Sequence, residues 1–414
     1  MTSAEREYEL VLFGATGYTG KLCAEHIITH LPTDLRWAVA GRSASKLSAV
    51  LEELRHLNPN RLQPGIETAA LTTEDLTSLA RKTRLLINTV GPYYLYSTPV
   101  VEACAKNGTH YLDVTGESPW VMEMINKYHD IAKANGAIII PEIGIESAPS
   151  DLLVLSLVTE IREELSVATK EVITSFHELS STPSGGTLLT ALGILDHYSW
   201  KEVAKATMPW AMSPVPRPKS VRSTPFMSKL LGVRSVPDLG TLTTSITAGP
   251  NAAIVYRSWG LFDGGDFYGH NFEYHEYMRA RNAFTGVALH FAIAIGMVAL
   301  AIPPVRWLLK KLVTVPGQGA SREAADKETL ELRSVAAADQ DGPNPKRALA
   351  KLRWEGGMYY LTGVFLAEAA IVILRDDRTK RLGGGLLTPA MLGQPFIDRL
   401  RKAGLKLETQ LVSY

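Results

Sequence analysis

Residues 8–13 (YELVLF) are followed at once by residues 14–20 (GATGYTG), and this junction of an apolar run with a glycine-rich turn decides the fold. Gly14 permits a tight turn, Gly17 lets the backbone approach a pyrophosphate, and Gly20 lets a helix pack closely on the strand. That helix directs free N–H groups and the positive end of its dipole at the phosphates. The spacing is GxxGxxG rather than GxGxxG, which leaves a purely structural turn as the alternative, but the strand–turn–helix context favours a nucleotide site. The residues predicted to contact the nucleotide are Gly14, Thr16, Gly17, Tyr18, Thr19 and Gly20.

The first 150 residues alternate short apolar runs with helical patterns. The runs predict strands over residues 8–13, 35–40, 67–71, 85–90, 111–114 and 137–141. The patterns between them predict helices over residues 19–31, 44–54, 73–82, 98–107 and 119–135. Such βαβ alternation implies an α/β fold with a doubly wound, Rossmann-type parallel sheet and helices on both faces.

The end of the second predicted strand indicates which dinucleotide binds. NAD enzymes carry an Asp or Glu there, whereas here Ala40 is followed by Gly41, Arg42 and Ser43, with Lys46 one turn later. The Arg42 guanidinium can stack on adenine and pair with a 2′-phosphate, assisted by Ser43 and Lys46. We therefore predict NADP(H) as the cofactor; the alternative is that Arg42 and Lys46 are solvated and Ser43 only caps a helix.

The fourth predicted strand ends in residues 88–93 (NTVGPY). In a doubly wound sheet this end lies beside the bound dinucleotide, near the ribose and nicotinamide. The residues predicted to contact the cofactor here are Asn88, Val90, Gly91, Pro92 and Tyr93. Tyr94 and Tyr96 follow, and we expect at least one of the three tyrosines to line the nicotinamide pocket, with aromatic packing as the alternative for each.

Candidate proton donors follow the fifth predicted strand. Asp113 and Glu117 lie in residues 110–117 (HYLDVTGE), where either can face the cleft and act as an acid if burial raises its pKa. The alternative is that Asp113 caps a turn and Glu117 forms a surface ion pair. Tyr94 is a rival donor, and Glu146 and Asp151 are expected only to cap the next helix.

Two common chemistries are not supported by the sequence. No tyrosine is followed four residues later by a lysine, which argues against a conventional short-chain carbonyl reductase. His270 and His275, near Asp263 and Glu273, lack a metal-ligand spacing, so we predict no metal.

Beyond residue 150 the pattern changes to that of a second, antiparallel α+β domain over 151–280. Strands are predicted over residues 171–176, 241–247 and 252–257, and helices over 187–198 and 361–374. Six prolines between Pro209 and Pro237 predict a loop, either a lid over a site or a surface excursion. Residues 281–320 form an apolar helical segment, 321–351 a polar insertion, and 352–414 elements that return to the first domain.

Residues 283–302 are mostly apolar, are ended by Pro303-Pro304, and are followed by Arg306, Lys310 and Lys311. About 20 apolar residues can span a bilayer, and a basic flank suits the cytoplasmic side. Three alternatives stay open: a helix buried in protein, one that dips into or lies on a membrane, and a true span.

Composition excludes some partners. With 43 Lys+Arg and 42 Asp+Glu the net charge is +1, so nucleic acid is not expected as a partner.

Cys23 and Cys104 cannot form a disulfide framework and predict buried thiols in a reducing compartment. The polar first residues lack the pattern of a signal peptide, and we expect a cytoplasmic location, with peripheral attachment to a membrane or lipid droplet left open.

In combination, these residues are similar to the saccharopine dehydrogenase-like oxidoreductases, which include bacterial trans-acting enoyl reductases. The similar stretches are residues 14–22 (GATGYTGKL), 40–42 (AGR), 88–93 (NTVGPY), 100–104 (VVEAC), 108–120 (GTHYLDVTGESPW), 149–152 (PSDL), 184–187 (SGGT) and 388–393 (TPAMLG). The resemblance implies an NADP(H)-binding Rossmann domain, a second α+β domain, a late hydrophobic helix and C-terminal elements that return to the first domain. The chain departs from the lysine-pathway enzymes by having that helix and by lacking Arg and Lys suited to an amino-dicarboxylate.

Four functions are compatible with the sequence. The resemblance favours an NADPH-dependent reductase that acts on a conjugated C=C bond of a lipophilic or carrier-bound polyketide or acyl substrate. Alternatives are reduction of an imine or carbonyl, a sensor that binds NADPH without turnover, and a structural protein of a lipid surface. A homodimer is left open.

Overall fold

The computed structural model describes residues 6–218, 230–312, 319–342 and 344–412. A seven-stranded, entirely parallel sheet contains the predicted first domain. Its strands are β1 (Tyr8–Phe13), β2 (Trp37–Gly41), β3 (Gly65–Thr68), β4 (Thr83–Asn88), β5 (His110–Asp113), β6 (Ile138–Ile140) and β13 (Gly385–Leu386). They lie in the order β3-β2-β1-β4-β5-β6-β13, which is the doubly wound order extended by one C-terminal strand. The prediction of a Rossmann-type sheet is confirmed.

Helices follow the strands closely. They are α1 (Tyr18–His30), α2 (Ala44–Leu57), α3 (Thr73–Lys82), α4 (Tyr93–Tyr96), α5 (Thr98–Asn107), α6 (Ser118–Ala134), α7 (Ala148–Leu165), α8 (Gly185–His197), α9 (Trp200–Ala206), α10 (Ala248–Leu261), α11 (Ala283–Ala301), α12 (Pro303–Leu312), α13 (Arg322–Ala325), α14 (Met358–Arg375) and α15 (Gly393–Lys402). Short 3₁₀ turns are formed by Asp263–Gly265, Thr379–Leu382 and Pro389–Leu392.

The alternating side chains of β1 show how the sheet is covered. Leu10 and Leu12 pack in one apolar cluster with α1 and α14, whereas Val11 and Phe13 pack in another with α3, α5 and α6. Both faces are therefore dry, which is why the strand is a continuous apolar run. The carboxyl ends of the strands, unlike their faces, stay available for a ligand.

The second sheet is mixed rather than antiparallel. Its strands are β7 (Thr169–Ser180), β8 (Val233–Val236), β9 (Gly240–Thr244), β10 (Glu273–Arg279), β11 (Thr329–Ala338), β12 (Arg347–Glu355) and β14 (Lys406–Val412). Their order is β14-β12-β11-β7-β10-β9-β8. All neighbours are antiparallel except β7 and β10, which run parallel. The C-terminal residues are divided, because β13 joins the first sheet and β14 joins the second.

Two predicted segments have a different structure. Residues 252–257 belong to α10, a helix buried on nearly all sides, and a fully buried helix has the same apolar run as a buried strand. Residues 321–351 are not a polar insertion: β11 and most of β12 lie there, and β11 pairs with both β7 and β12. Their alternating charged and apolar side chains are those of a sheet with one polar face. Residues 219–229 of the predicted proline-rich loop lie outside the described residues.

A buried polar cluster fixes the C-terminal helices to the first sheet. Glu368 of α14 lies 2.8 Å through Oε1 from His26 Nε2 on α1, and its Oε2 accepts a hydrogen bond from Arg399 of α15. Cys23, also on α1, is a free buried thiol, and so is Cys104, as predicted. Helices α14 and α15 are thus fixed to helix α1 of the first domain.

Candidate active site

The glycine-rich turn has the close contacts that the sequence predicts. Gly14 has φ +90°, and a β-carbon there would lie 2.7 Å from Thr89 Oγ1. A β-carbon on Gly20 would lie 2.3 Å from the Gly14 carbonyl oxygen, so neither position accepts a side chain without displacement of β1 or of the residues after β4. Helix α1 can therefore start directly at the end of β1.

The first turn of α1 has donors to offer. Gly17 is its N-cap and has no side chain to accept from the turn, so the free N–H groups point out of the sheet edge, where a pyrophosphate binds. Thr16 and Thr19 lie half-buried around this end. Tyr18 is different: its hydroxyl donates to the Ala320 carbonyl at 3.0 Å, and its ring meets that of Tyr359.

The end of β2 presents two cations. Arg42 and Lys46 are exposed, and no hydrogen bond or ion pair joins either side chain to any residue that the structure describes. Ser43 is the N-cap of α2 and accepts from the Lys46 N–H at 3.4 Å, which is the alternative that the sequence left open for it. The pair Arg42 and Lys46 fits a 2′-phosphate, because its charges are not already neutralised.

Residues 88–93 form a turn that is held by hydrogen bonds, and only some of them are accessible to a cofactor. Asn88 is buried; its Nδ2 donates to Ser97 and Tyr111, and its Oδ1 accepts from the Val90 N–H. Tyr93 is also buried, against Trp120, so its ring does not line the pocket as predicted. Val90, Gly91 and Pro92 are at least partly accessible at the sheet edge. Direct cofactor contact for these three stays a prediction.

Tyr94 lies between the two halves of the protein. Its ring is half-buried, 5.0 Å from the His197 ring at the end of α8. A β-carbon on Gly193 would lie 2.6 Å from the Tyr94 hydroxyl, so a side chain at this position of α8 would displace that hydroxyl. Among the described residues the hydroxyl has no hydrogen-bond partner. Burial, together with the negative charges of Glu117 and Asp196, raises the pKa of Tyr94 and keeps the phenol protonated.

Glu117 holds Tyr94 in place. Its Oε1 accepts from the Tyr93 N–H at 2.9 Å and its Oε2 from the Tyr94 N–H at 2.6 Å. A carboxylate at the first N–H groups of α4 satisfies donors that the helix leaves free. Glu117 is buried, so neither the surface ion pair nor an open proton donor describes it. Burial nevertheless raises the pKa of Glu117 to about 7.

Asp113 does not face an open cleft, contrary to the prediction. It is fully buried; Oδ1 accepts from the Thr115 and Glu142 N–H groups, and Oδ2 accepts from the Tyr111 hydroxyl at 2.8 Å. Burial raises the pKa of Asp113 to about 7 against the effect of these donors. Asp113 therefore links the carboxyl ends of β5 and β6 through these hydrogen bonds.

Glu142 and Glu146 complete this corner, and the sequence analysis did not select either as a catalytic or binding residue. Glu142, directly after β6, is buried at φ +60°, and neither of its carboxyl oxygens has a partner in the described chain. Burial, together with the negative charge of Asp113, raises the pKa of Glu142 well above its ordinary value. The position of Glu142 and Glu146 shortly after the sixth strand was the sequence signal that could have identified them as site residues.

Glu146 does not cap α7, because the N-cap is Ser147 and no side chain caps that end. Its side chain is accessible to solvent, yet surrounding protein raises its pKa, as expected for a group at the bottom of a cleft. A β-carbon on Gly116 would lie 2.5 Å from Glu146 Oε2. The Glu146 carboxyl group is therefore next to Gly116 and open to a ligand.

Asp151 joins distant parts of the chain and does not cap its own helix. Its Oδ1 accepts from Ser258 of α10 at 2.7 Å, and its Oδ2 accepts from the Ala390 N–H at 2.8 Å. These contacts bring residues 149–152 and 388–393, both noted for family resemblance, to one place. Burial raises the pKa of Asp151 to about 7.

One group of potential metal ligands occurs in the described residues, on the second sheet. Glu171, Glu273 and His275 have ligand atoms within 4.8 Å of one another. Arg234 already binds Glu171 at 2.8 Å, and a cation in that place competes with a metal. The group is distant in sequence from every cofactor residue.

Comparisons with known proteins agree with the site. Residues 10–140 match the family model described as the saccharopine dehydrogenase NADP binding domain. A trans-acting enoyl reductase of Mycobacterium ulcerans is 31% identical over 430 residues, which cover 98% of each chain. One from Mycobacterium tuberculosis is 31% identical over 439 residues and 100% of each chain. Saccharopine dehydrogenase (L-Glu forming) of Saccharomyces cerevisiae shares the fold, with a TM-score of 0.55 over 98% of this chain and 100% of that one, at 13% identity.

The phosphate turn, the two free cations and the matched domain define an NADP-dependent oxidoreductase. The chain belongs to the saccharopine dehydrogenase-like family, with the members that are named trans-acting enoyl reductase. NADP(H) is its cofactor; when bound, the nicotinamide supplies or accepts a hydride.

Arg42→Ala should lower the preference for NADPH over NADH. Loss of a charge-assisted contact to the 2′-phosphate should weaken NADPH binding by about tenfold or more and leave NADH binding nearly unchanged. Fluorescence titration with both cofactors measures this. Arg55→Ala, which removes another exposed arginine from the α2 region, is the control. Equal loss of both cofactors, or of neither, would contradict the assignment.

Asp113→Asn should flatten the pH dependence of stability. The folded-state pKa of Asp113, about 7, lies above its ordinary value of 3.8, so the folded protein binds more protons between these values. The free energy of unfolding therefore falls as pH rises through this window, by up to about 1 kcal/mol per pH unit from this group. Urea unfolding at pH 5, 6 and 7 should show a shallower fall in the variant. An unchanged slope would mean that Asp113 is ionised throughout.

Proposed function

We propose that the protein reduces a C=C bond conjugated with a carbonyl in a lipophilic acyl or polyketide substrate, with NADPH as the hydride donor. The observation that carries the proposal is the full-length similarity to relatives named trans-acting enoyl reductase, in a chain that retains the NADP site described above. The hydride would add to the β-carbon, and a proton is then needed at the α-carbon.

Tyr94 is the group best suited to supply that proton. It is a protonated phenol at the carboxyl end of β4, its hydroxyl is free of partners in the described chain, and Glu117 fixes its backbone. Asp113 and Glu117 already accept hydrogen bonds through both carboxyl oxygens. Glu146, accessible in the same corner, is the alternative acid.

The surroundings of Tyr94 favour an apolar substrate. Helix α8 (GGTLLTALGILDH) passes over it, and its only ionisable side chains, Asp196 and His197, lie at its end. Tyr359 holds the start of α8, because its hydroxyl accepts from the Ser184 N–H at 2.7 Å, and the same ring meets Tyr18 of the phosphate turn. Helix α8 therefore reaches from the phosphate turn to Tyr94.

The test uses NADPH deuterated at nicotinamide C4 with a series of α,β-unsaturated acyl thioesters. We expect deuterium on the β-carbon of a saturated product. Deuterium on a carbonyl or imine carbon would favour the alternative reductions. Tight binding of NADPH without oxidation in the presence of any acceptor would favour a non-catalytic role.

Tyr94→Phe should lower kcat by about a hundredfold, the usual contribution of a general acid, with little change in KM or in NADPH binding. Tyr96→Phe, two residues later on an exposed side chain, is the matched control and should retain activity. Steady-state kinetics with the substrate found above measures both. If Tyr94→Phe is fully active and Glu146→Gln is not, the proton comes from Glu146.

A further inference from the structure

Helix α11 is an exposed apolar surface, not a core helix. Two described helices are long and apolar enough to cross a membrane: α11, with mean hydropathy 2.0 and 6% buried, and α14, with 1.5 and 83% buried. The alternative that α11 is buried in protein is thus contradicted, while α14 is the core helix described above. An exposed apolar surface of this size is unfavourable in water and marks an interaction site.

Five exposed large apolar side chains of α11 and its C-cap residue lie on one stripe, whereas Met297, which is also exposed, lies on the opposite face. Phe284, Phe291, Ile295, Val298 and Ile302 are all exposed, and their spacing of seven, four, three and four residues keeps them on one helical face. The opposite face contacts the protein: Thr243 donates to the Gly286 carbonyl at 2.7 Å, and Thr244 Oγ1 lies 2.7 Å from His290 Nδ1. We name the exposed face the outer stripe.

Both ends of α11 are attached to the same folded body. The first half contacts β9 through Gly286 and His290. At the other end, Arg306 donates to the Leu300 and Ala301 carbonyls and also binds Asp196 of α8 at 3.1 Å. A helix of this length is about 28 Å long, so a span would place its ends on opposite sides of the hydrocarbon. These contacts rule out that arrangement and leave a helix that lies along the surface.

The charges around the outer stripe have one sign. Residues 279–312 include five Lys and Arg and no Asp or Glu. Arg279 and Arg281 are exposed at one end; at the other, Lys311 lies 3.5 Å from the centre of the exposed Trp307 ring. Exposed tryptophan beside lysine is typical of a segment at a membrane interface. Asp196 pairs with both Arg306 and Lys310, whereas Arg279, Arg281 and Lys311 are exposed and can bind anionic headgroups.

We propose that α11 and α12 form a monotopic anchor that inserts the outer stripe into the surface of an anionic phospholipid bilayer. The outer stripe enters the acyl boundary, and the basic residues at both ends of the segment bind lipid phosphates. Helix α12 stays on the protein through Asp196 of α8.

The anchor lies one helix away from Tyr94, since Asp196 and Gly193 are on the same helix α8 and Gly193 contacts the Tyr94 hydroxyl. If the proposed function is correct, an apolar substrate approaches the cleft from the lipid. The anchor itself does not depend on that function, because its test involves no turnover.

The test is flotation of the full-length protein with vesicles of phosphatidylcholine alone or mixed with phosphatidylglycerol. We expect flotation with the mixed vesicles and at least tenfold weaker binding to phosphatidylcholine alone. Phe291→Glu with Ile295→Glu should reduce binding to the mixed vesicles at least tenfold. Leu62→Glu, at a side chain 51% exposed elsewhere on the molecule, should bind as the parent does. Unchanged NADPH affinity in each variant shows that it is folded.

Three results would overturn the proposal. One is failure of the parent protein to float with the mixed vesicles. Another is flotation of the Phe291→Glu, Ile295→Glu variant as well as the parent. The third is a parent dimer in solution, measured by light scattering, that the same double substitution converts to a monomer, because a second copy would then cover the outer stripe.

Discussion

The close approach of α1 to the carboxyl ends of β1 and β4 is the constraint on which the rest of the structure depends. Gly14 and Gly20 lie so near Thr89 and each other's backbone that a β-carbon has no room. This packing lets α1 begin at the sheet edge with an uncapped first turn. The same helix carries His26, which binds Glu368 and so fixes the C-terminal helices. One glycine-dependent contact thus positions both the cofactor's phosphates and the remainder of the core.

The adjacent corner stores unfavourable electrostatics. Asp113 ends β5, and Glu117, Glu142, Glu146 and Asp151 follow β5 or β6; burial raises the pKa of each. Such groups are costly to bury and are concentrated at functional sites. Here most of them accept backbone or hydroxyl hydrogen bonds, and their geometric effect is to hold Tyr94 and the strand ends. Glu146 alone of the five is open to a ligand.

Most of the first domain was predictable because its signals are local. A continuous apolar run predicted β1, and helical periodicity predicted α3 and α5, each to the residue. The free cations at β2 follow from sequence position. The incorrect predictions concern segments whose structure is determined by contacts that are distant in sequence. Residues 252–257 are buried on all sides, which removes the amphipathic pattern that separates helix from strand. β11 contains Glu331 and Arg333, which form ion pairs with each other and with β12, so its sequence resembles a polar loop.

Within the site, residue type and position were predicted better than direction. The sequence placed Tyr93 and Tyr94 at the same strand end, but only the fold shows that Tyr93 packs on Trp120 and Tyr94 under α8. Asp113 and Glu117 were predicted from their position at or just after the end of β5. The N–H groups that donate to their carboxyl oxygens come from other elements, which no local sequence pattern reveals. Glu146 was missed because a carboxylate before a helix resembles a cap.

The most direct measurement is calorimetric titration of NADPH into the parent protein and a Gly17→Val variant. A β-carbon on Gly17 meets only the Gly14 carbonyl oxygen, at 3.3 Å, so the fold should tolerate the change while the valine branches occupy the pyrophosphate position. We expect tight binding to the parent and no measurable binding to the variant at unchanged thermal stability. Equal NADPH affinity in the two proteins would contradict the assignment of the glycine-rich turn as the phosphate site.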